Sequence, residues 1–98
     1  MNMQSLMAQA QKMQREITKK QEEIYASTFE GVSEWVKVVL NGKKEVLKIE
    51  ILYQGSIDDD REMLSDMITI AFNDAIKKIE KEIENKLGSY SRQLGGLM

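Results

Sequence analysis

Two stripes of apolar residues at helical spacing, one near each end of the chain, constrain the fold more than any other feature. In the first stripe, apolar residues recur every three or four positions from Met3 to Ile24, with Lys20 as the exception. The second stripe runs from Leu64 to Leu87. At about 1.5 Å per residue, a helix over either stripe is longer than a small sheet can cover. We therefore expect two long amphipathic helices that project beyond a common body.

The second helix has signals at both of its ends. Asp58, Asp59 and Asp60 precede it, and carboxylates favour a helix N-terminus because backbone N–H groups point outward there. Gly88 follows the last apolar residue of the stripe, and glycine is common just after a helix. A chain of 98 residues has room for one domain, which we place at residues 1–88. Residues 89–98 contain two glycines and two serines and predict a flexible C-terminal tail.

The segment between the helices predicts an antiparallel three-stranded sheet. Its extended stretches cover residues 25–30, 33–40 and 43–52. Asn41-Gly42 separates the last two stretches, and this pair favours a two-residue type I′ turn because both residues tolerate positive φ. Such a turn would pair Val36 with Leu47 across the hairpin. The sequence thus predicts the α+β class, with an α-β-β-β-α order of elements.

The predicted hairpin register places Trp35, Val39 and Val46 on the sheet face that also carries lysines. Trp35 is either a core residue or an anchor at a subunit interface, and its place on this mixed face favours the interface. A chain this short also buries a modest fraction of its surface, so long elements benefit from a second subunit. We predict a homodimer, with Trp35, Val39 and Val46 as candidate interface residues.

The composition excludes several classes of function. Histidine and cysteine are absent, which removes histidine-based triads, thiol nucleophiles and the usual zinc sites. The isolated glycines match neither a dinucleotide fingerprint nor a phosphate-binding loop. The aspartates at 58–60 fit helix capping better than a magnesium site, whose ligands converge from several places. From these absences we expect no enzyme activity, catalytic residue, metal, cofactor or small-molecule substrate. No apolar run approaches the roughly 20 residues that a membrane-spanning helix needs, so we also expect a cytoplasmic protein without a membrane partner.

The charged residues are divided by sign along the chain. Residues 1–20 hold four bases and one acid, residues 76–98 hold five bases and three acids, and the centre holds five bases and twelve acids. Both helices connect to the sheet at their inner ends, so an antiparallel pair would bring the two basic ends together. The candidate DNA-binding residues are Lys12, Arg15, Lys19, Lys77, Lys78, Lys81, Lys86 and Arg92. These cations would contact phosphates of double-stranded DNA; alternatively, they are the solvated outer face of a helix pair.

Three stretches of the chain together resemble the YbaB/EbfC family of nucleoid-associated proteins. They are Ala8-Gln9-Ala10-Gln11-Lys12-Met13-Gln14, the hairpin with Val36-Lys37-Val38, Asn41-Gly42 and Ile49-Glu50-Ile51, and Ala71-Phe72-Asn73-Asp74-Ala75 within the second helix. The resemblance implies a bacterial protein that dimerises through its sheet into a tweezer-like body. It also implies binding of duplex DNA with low sequence specificity, a change in DNA conformation, and location in the nucleoid.

A second hypothesis belongs to another functional class. Met1, Met3, Met7 and Met13 make the start of the chain rich in methionine, which repacks easily against varied partners. These residues are either the seam between the two helices or a surface that holds a partner protein. In the second case, the chain would be a protein-interaction adaptor with methionine-rich arms.

Overall fold

The computed structural model describes the backbone of residues 2–95 and the side chains of these residues other than 91 and 93–95. The elements are α1 (Met3–Ala26), β1 (Thr28–Val32), β2 (Val36–Asn41), β3 (Val46–Ile51) and α2 (Arg61–Gly95). The strands form one antiparallel sheet in the order β1-β2-β3. The predicted α+β class and the α-β-β-β-α order are therefore confirmed.

The two helices make the molecule long and narrow. α2 has 35 residues, which corresponds to about 52 Å at 1.5 Å per residue, and α1 has 24. The principal extents are 70 × 23 × 14 Å. Asn2 caps α1, since its side-chain oxygen accepts a 2.7 Å hydrogen bond from the amide of Gln4. The helices project beyond the short sheet, as their stripes predict.

The predicted end of α2 at Gly88 is wrong, because the helix continues to Gly95. Contacts with α1 hold the additional turns. The hydroxyl of Tyr90 donates to a carboxylate oxygen of Glu16 at 3.0 Å, and the ammonium of Lys20 lies 4.9 Å from the centre of the Tyr90 ring. Residues 96–98 of the predicted tail lie outside the described residues, and the flexibility of the tail stays a prediction.

The core lies between α2 and one face of the sheet. Its buried residues are Val36, Val38 and Leu40 from β2 together with Leu64, Ala71, Ala75 and Ile79 from α2. Gly31 of β1 is buried, and a Cβ atom there would overlap the carbonyl oxygen of Ala71 and lie 2.7 Å from the Cβ of Ala75. Glycine at this position therefore lets α2 lie directly on the backbone of β1.

The turn between β2 and β3 differs from the predicted two-residue loop. Gly42 does not have positive φ, whereas Lys44 does, at 67°. The Asn41 side chain organises this longer turn, because its Oδ1 accepts from the amides of Lys43 and Glu45 at 2.9 and 3.0 Å. Gly42 is needed for a different reason: a Cβ there would overlap the carbonyl oxygen of Ile24 at the end of α1. The type I′ prediction is wrong because this close approach to α1 determines the loop.

The longer turn also changes the strand register. Val36 pairs with Ile51 instead of Leu47, and an irregularity in the ladder follows between Val39 and Leu40. Val46 then pairs with Leu40, and Val39 pairs with Lys48. Directly paired residues share a face, so Val46 lies on the same face as the core residue Leu40, and Val39 lies on the opposite face.

Trp35 lies just before β2, where its ring stacks on Tyr53 with 4.1 Å between the ring centres. The predicted interface set of Trp35, Val39 and Val46 therefore does not share one face. Whether any of the three contacts a second subunit stays a prediction.

Candidate nucleic-acid interface

The free parts of the two helices pack side by side. We call α1 residues 3–23 and α2 residues 82–95 the arm. Lys86 Nζ lies 3.4 Å from a carboxylate oxygen of Glu23, and the hydroxyl of Tyr90, one turn beyond Lys86 on α2, donates to Glu16. The helices are thus antiparallel, and the basic ends predicted to meet do so. Lys12 and Lys86 belong to the same arm.

The three basic candidates of α1 are solvent-accessible. All three are exposed to solvent: Lys12, Arg15 and Lys19 occupy successive turns of a regular helix. Lys12 lines a shallow hollow between the helices with Met13 and Tyr90. Within residues 2–95, none of the three forms an ion pair within 4.0 Å. Their charges are available to an external anion.

The basic candidates near the end of α2 are partly compensated. Lys86 lies near both Glu23 and Glu82, at 3.4 and 3.9 Å, and Arg92 pairs with Glu84 at 2.7 Å. Such surface pairs contribute at most about 1 kcal/mol and are weakened by salt. A phosphate can therefore compete with these carboxylates. Lys81 is exposed and has no ion pair among the side chains that the structure describes.

The remaining two candidates lie beside the sheet and not on the arm. Lys77 borders a hollow with Val32 and Asp74 at the outer edge of β1. Lys78 Nζ donates to the carbonyl oxygen of Glu30 at 2.7 Å and lies 3.2 Å from Asp74 Oδ2. The structure thus brings Lys12, Arg15, Lys19, Lys86 and Arg92 together on the arm, with Lys81 at its base.

Sequence reasoning missed Lys20 and Tyr90 as parts of the arm. Glycine at position 88 indicates a helix end, which places Tyr90 in the predicted tail. The signal for a longer helix was present, since Ile83, Leu87 and Tyr90 continue the spacing of four and three. Tyr90 contacts Glu16 and Lys20 on α1 and so holds the two helices in register.

A cluster of acidic residues lies at the other end of α2. Asp59, Asp60, Glu62 and Asp66 line one hollow around the first turns of this helix. Asp60 also accepts a hydrogen bond from the hydroxyl of Tyr53. Since α2 is about 52 Å long, the acidic cluster lies far from the arm. This separation keeps the four carboxylates of the cluster away from the exposed cations of the arm. No helix within residues 2–95 is both long and apolar enough to cross a membrane.

Comparisons with known proteins agree with this geometry. The family model described as the YbaB/EbfC DNA-binding family matches residues 1–94. A nucleoid-associated protein of Ligilactobacillus salivarius is 40% identical, with 99% of this chain and 95% of that protein covered. One from Lactococcus lactis subsp. lactis is 43% identical over 96% of this chain and 97% of its own. The resemblance found in the sequence is confirmed.

A solved structure supports the fold. The crystal structure of an uncharacterized protein from Helicobacter pylori superposes with a TM-score of 0.73, covering 87% of this chain and 91% of that chain. The two sequences are 24% identical, so this likeness concerns the fold alone.

Proposed function

The chain belongs to the YbaB/EbfC DNA-binding family, and from this premise we propose that it binds duplex DNA through the arm, as a homodimer and with low sequence specificity. One observation carries the proposal: two basic segments, from opposite ends of the chain, meet on one exposed helix pair. The proposed main contacts are Lys12, Arg15 and Lys19 on the arm and Lys81 at its base. Lys86 and Arg92 flank them, and Lys77 and Lys78 are further candidates on the body.

Low sequence specificity follows from the type of contact. Lysine and arginine side chains on a helix surface reach phosphate oxygens, which are the same for every base pair. Binding of this kind gains most of its free energy from the release of counterions condensed on DNA. The protein would act by binding and not by catalysis.

A second copy of the chain is the proposed cover for β3. Val46, Ile49 and Ile51 are 49–50% exposed, although they lie on the sheet face that α2 covers at β2. Within the described residues, α2 packs mainly on β1 and β2 and does not cover this apolar strip of β3. A dimer that buries the strip would carry two arms on one body. Two arms can hold two positions of a duplex and so alter its path.

The cellular role rests on the relatives. They are named nucleoid-associated proteins, and we propose the bacterial nucleoid, within the cytoplasm, as the location of this chain. A change in DNA path at many sites would in turn influence gene expression.

One observation favours a second candidate function. Met3, Leu6 and Met7 are 74%, 42% and 58% exposed near the tip of the arm. An apolar, pliable tip fits a helix of a partner protein. In that case the tip would bind protein, and association with DNA would be secondary.

A binding titration tests the proposed function. The wild-type chain is expected to bind a duplex of random sequence, with log affinity falling linearly as log salt concentration rises. The mass in solution, measured by light scattering, is expected to be twice that of one chain. Absence of binding at low salt would reject the DNA function, and a monomer mass would reject the dimer. Binding that is insensitive to salt and lost on replacing Leu6 by serine would favour the second candidate.

A further inference from the structure

The outer edge of β1 is occupied by two side chains from α2. The amide of Val32 donates to Asp74 Oδ2 at 3.0 Å, and Lys78 Nζ donates to the carbonyl oxygen of Glu30 at 2.7 Å. Asp74 and Lys78 are one helical turn apart and form an ion pair at 3.2 Å. A negative group therefore covers the backbone donor, and a positive group covers the backbone acceptor.

These two are among the backbone groups that an added strand would use. In an antiparallel ladder, alternate residues direct their N–H and C=O groups toward opposite neighbours. Residues 30 and 32 direct theirs away from β2, since their groups bond to α2 side chains instead. An unpaired edge of this kind is a template for another strand, and proteins commonly block it with charged side chains.

The position of α2 makes this blocking possible. Gly31 lies between the two covered residues, and its lack of a side chain brings α2 onto the β1 backbone. Side chains four residues apart on that helix can then reach over the edge on either side of Gly31. The hydrogen bond from the Val32 amide, and secondly the nearby Lys78, hold the pKa of Asp74 below its ordinary value, so the carboxylate stays ionised at more acidic pH than an ordinary aspartate does.

The other edge of the sheet is different. Among the side chains that the structure describes, none donates to or accepts from the backbone of β3. Lys48 and Glu50 of β3 pair with each other, and the apolar residues of the strand are half exposed. One edge is therefore closed by specific hydrogen bonds, and the other carries an open apolar strip.

We propose that Asp74 and Lys78 close the β1 edge against strand addition by a second copy of this chain, so that copies associate through the β3 side alone. The second part of this proposal, association through the β3 side, rests on the proposed dimer. The closure limits the number of copies in an assembly, because a chain with two open edges could extend into a chain of sheets. Asp74 and Lys78 are thus positioned to set assembly size.

The test removes both closing groups and measures the edge and the mass separately. In the double variant Asp74→Ala/Lys78→Ala, the Val32 amide is expected to exchange its hydrogen about tenfold faster or more, as for loss of one hydrogen bond. The mass from light scattering is expected to rise above the wild-type mass as protein concentration increases. Both side chains are more than a third exposed, so the variant is expected to fold.

Three further variants complete the test. Asp74→Asn keeps an oxygen that can accept from Val32, and is expected to keep the wild-type mass. Lys78→Met frees the Glu30 carbonyl alone and leaves the bond from the Val32 amide to Asp74 in place, so it is read by its mass only; an increased mass supports closure and an unchanged mass contradicts it, should the double variant not fold. Asp58→Ala/Arg61→Ala removes an exposed ion pair at the start of the same helix and serves as the matched control.

Each outcome has a defined meaning. Faster Val32 exchange with an increased mass in the double variant supports edge closure. In the double variant, faster exchange with an unchanged mass overturns it, and so does unchanged exchange. A wild-type monomer would reject the proposed dimer without bearing on closure, which is read from the difference between variant and wild type.

Discussion

Replacing Lys12 and Arg15 together by glutamine is expected to lower the affinity for duplex DNA roughly 10³- to 10⁴-fold at about 0.1 M salt. Both side chains are exposed on α1 and have no ion pair within the described residues. A dimer would lose four phosphate contacts, and each contact contributes about tenfold at this salt concentration through counterion release. The slope of log affinity against log salt should fall by roughly three to four. Fluorescence anisotropy with two duplexes of unrelated sequence measures both quantities.

A matched variant separates the position of the charge from its amount. Lys43→Gln/Lys44→Gln also removes two positive charges, but from the β2–β3 turn, outside the arm. We expect this variant to bind within a few-fold of wild type, since long-range effects of two charges are largely screened beyond about 10 Å. Equal losses in the two variants would show that net charge decides binding. A loss for one duplex and not the other would contradict phosphate recognition.

Replacing Gly31 by alanine is expected to lower the free energy of unfolding by about 3 kcal/mol or more. A Cβ atom at this position overlaps the Ala71 carbonyl oxygen and approaches Ala75, and neither is a flexible group that can move away. α2 would have to shift away from β1 and lose the packing that both elements share. Urea unfolding followed by circular dichroism measures the change.

Gly88→Ala is the matched control, with an effect of opposite sign. A Cβ there meets the end of the Glu84 side chain, at 2.5 Å from Oε1, and that side chain can rotate away. Because Gly88 lies inside α2, alanine is expected to raise the free energy of unfolding by about 0.5–1 kcal/mol. A tolerated Gly31→Ala would mean that α2 does not lie on the β1 backbone as described.

The features predicted correctly from the sequence are those that depend on local periodicity. The three- and four-residue spacing of Met3 to Ile24 is sufficient to indicate a helix, because one face of that helix must be covered. Both helices connect to the sheet at their inner ends, so an antiparallel pair places their free ends on the same side of the sheet. The meeting of the basic ends follows from this topology without any knowledge of side-chain contacts.

The incorrect predictions concern positions where a distant contact outweighs a local preference. Asn41-Gly42 does mark the hairpin, but the end of α1 lies against Gly42 and fixes a longer turn. Gly88 is a weak helix terminator, and the contacts of Tyr90 with Glu16 and Lys20 stabilise the helix beyond it.

The division of the eight basic candidates between arm and body also required the structure. Lys78 and Lys81 differ by three residues in sequence, and both are exposed. The backbone of β1 engages Lys78, whereas Lys81 lies one turn further along α2. The rotation of α2 about its axis relative to the β1 edge cannot be predicted from the sequence, so the sequence does not distinguish these two lysines.

Nuclear magnetic resonance of the wild-type chain with a random duplex tests the central claim most directly. At low salt, the amide signals of Lys12, Arg15 and Lys81 are expected to shift as DNA is added, and to return when salt is raised. The signals of Lys48 and Glu50 on the sheet should not respond. Shifts confined to the sheet, or an arm that does not respond at low salt, would contradict DNA binding by the paired helix ends.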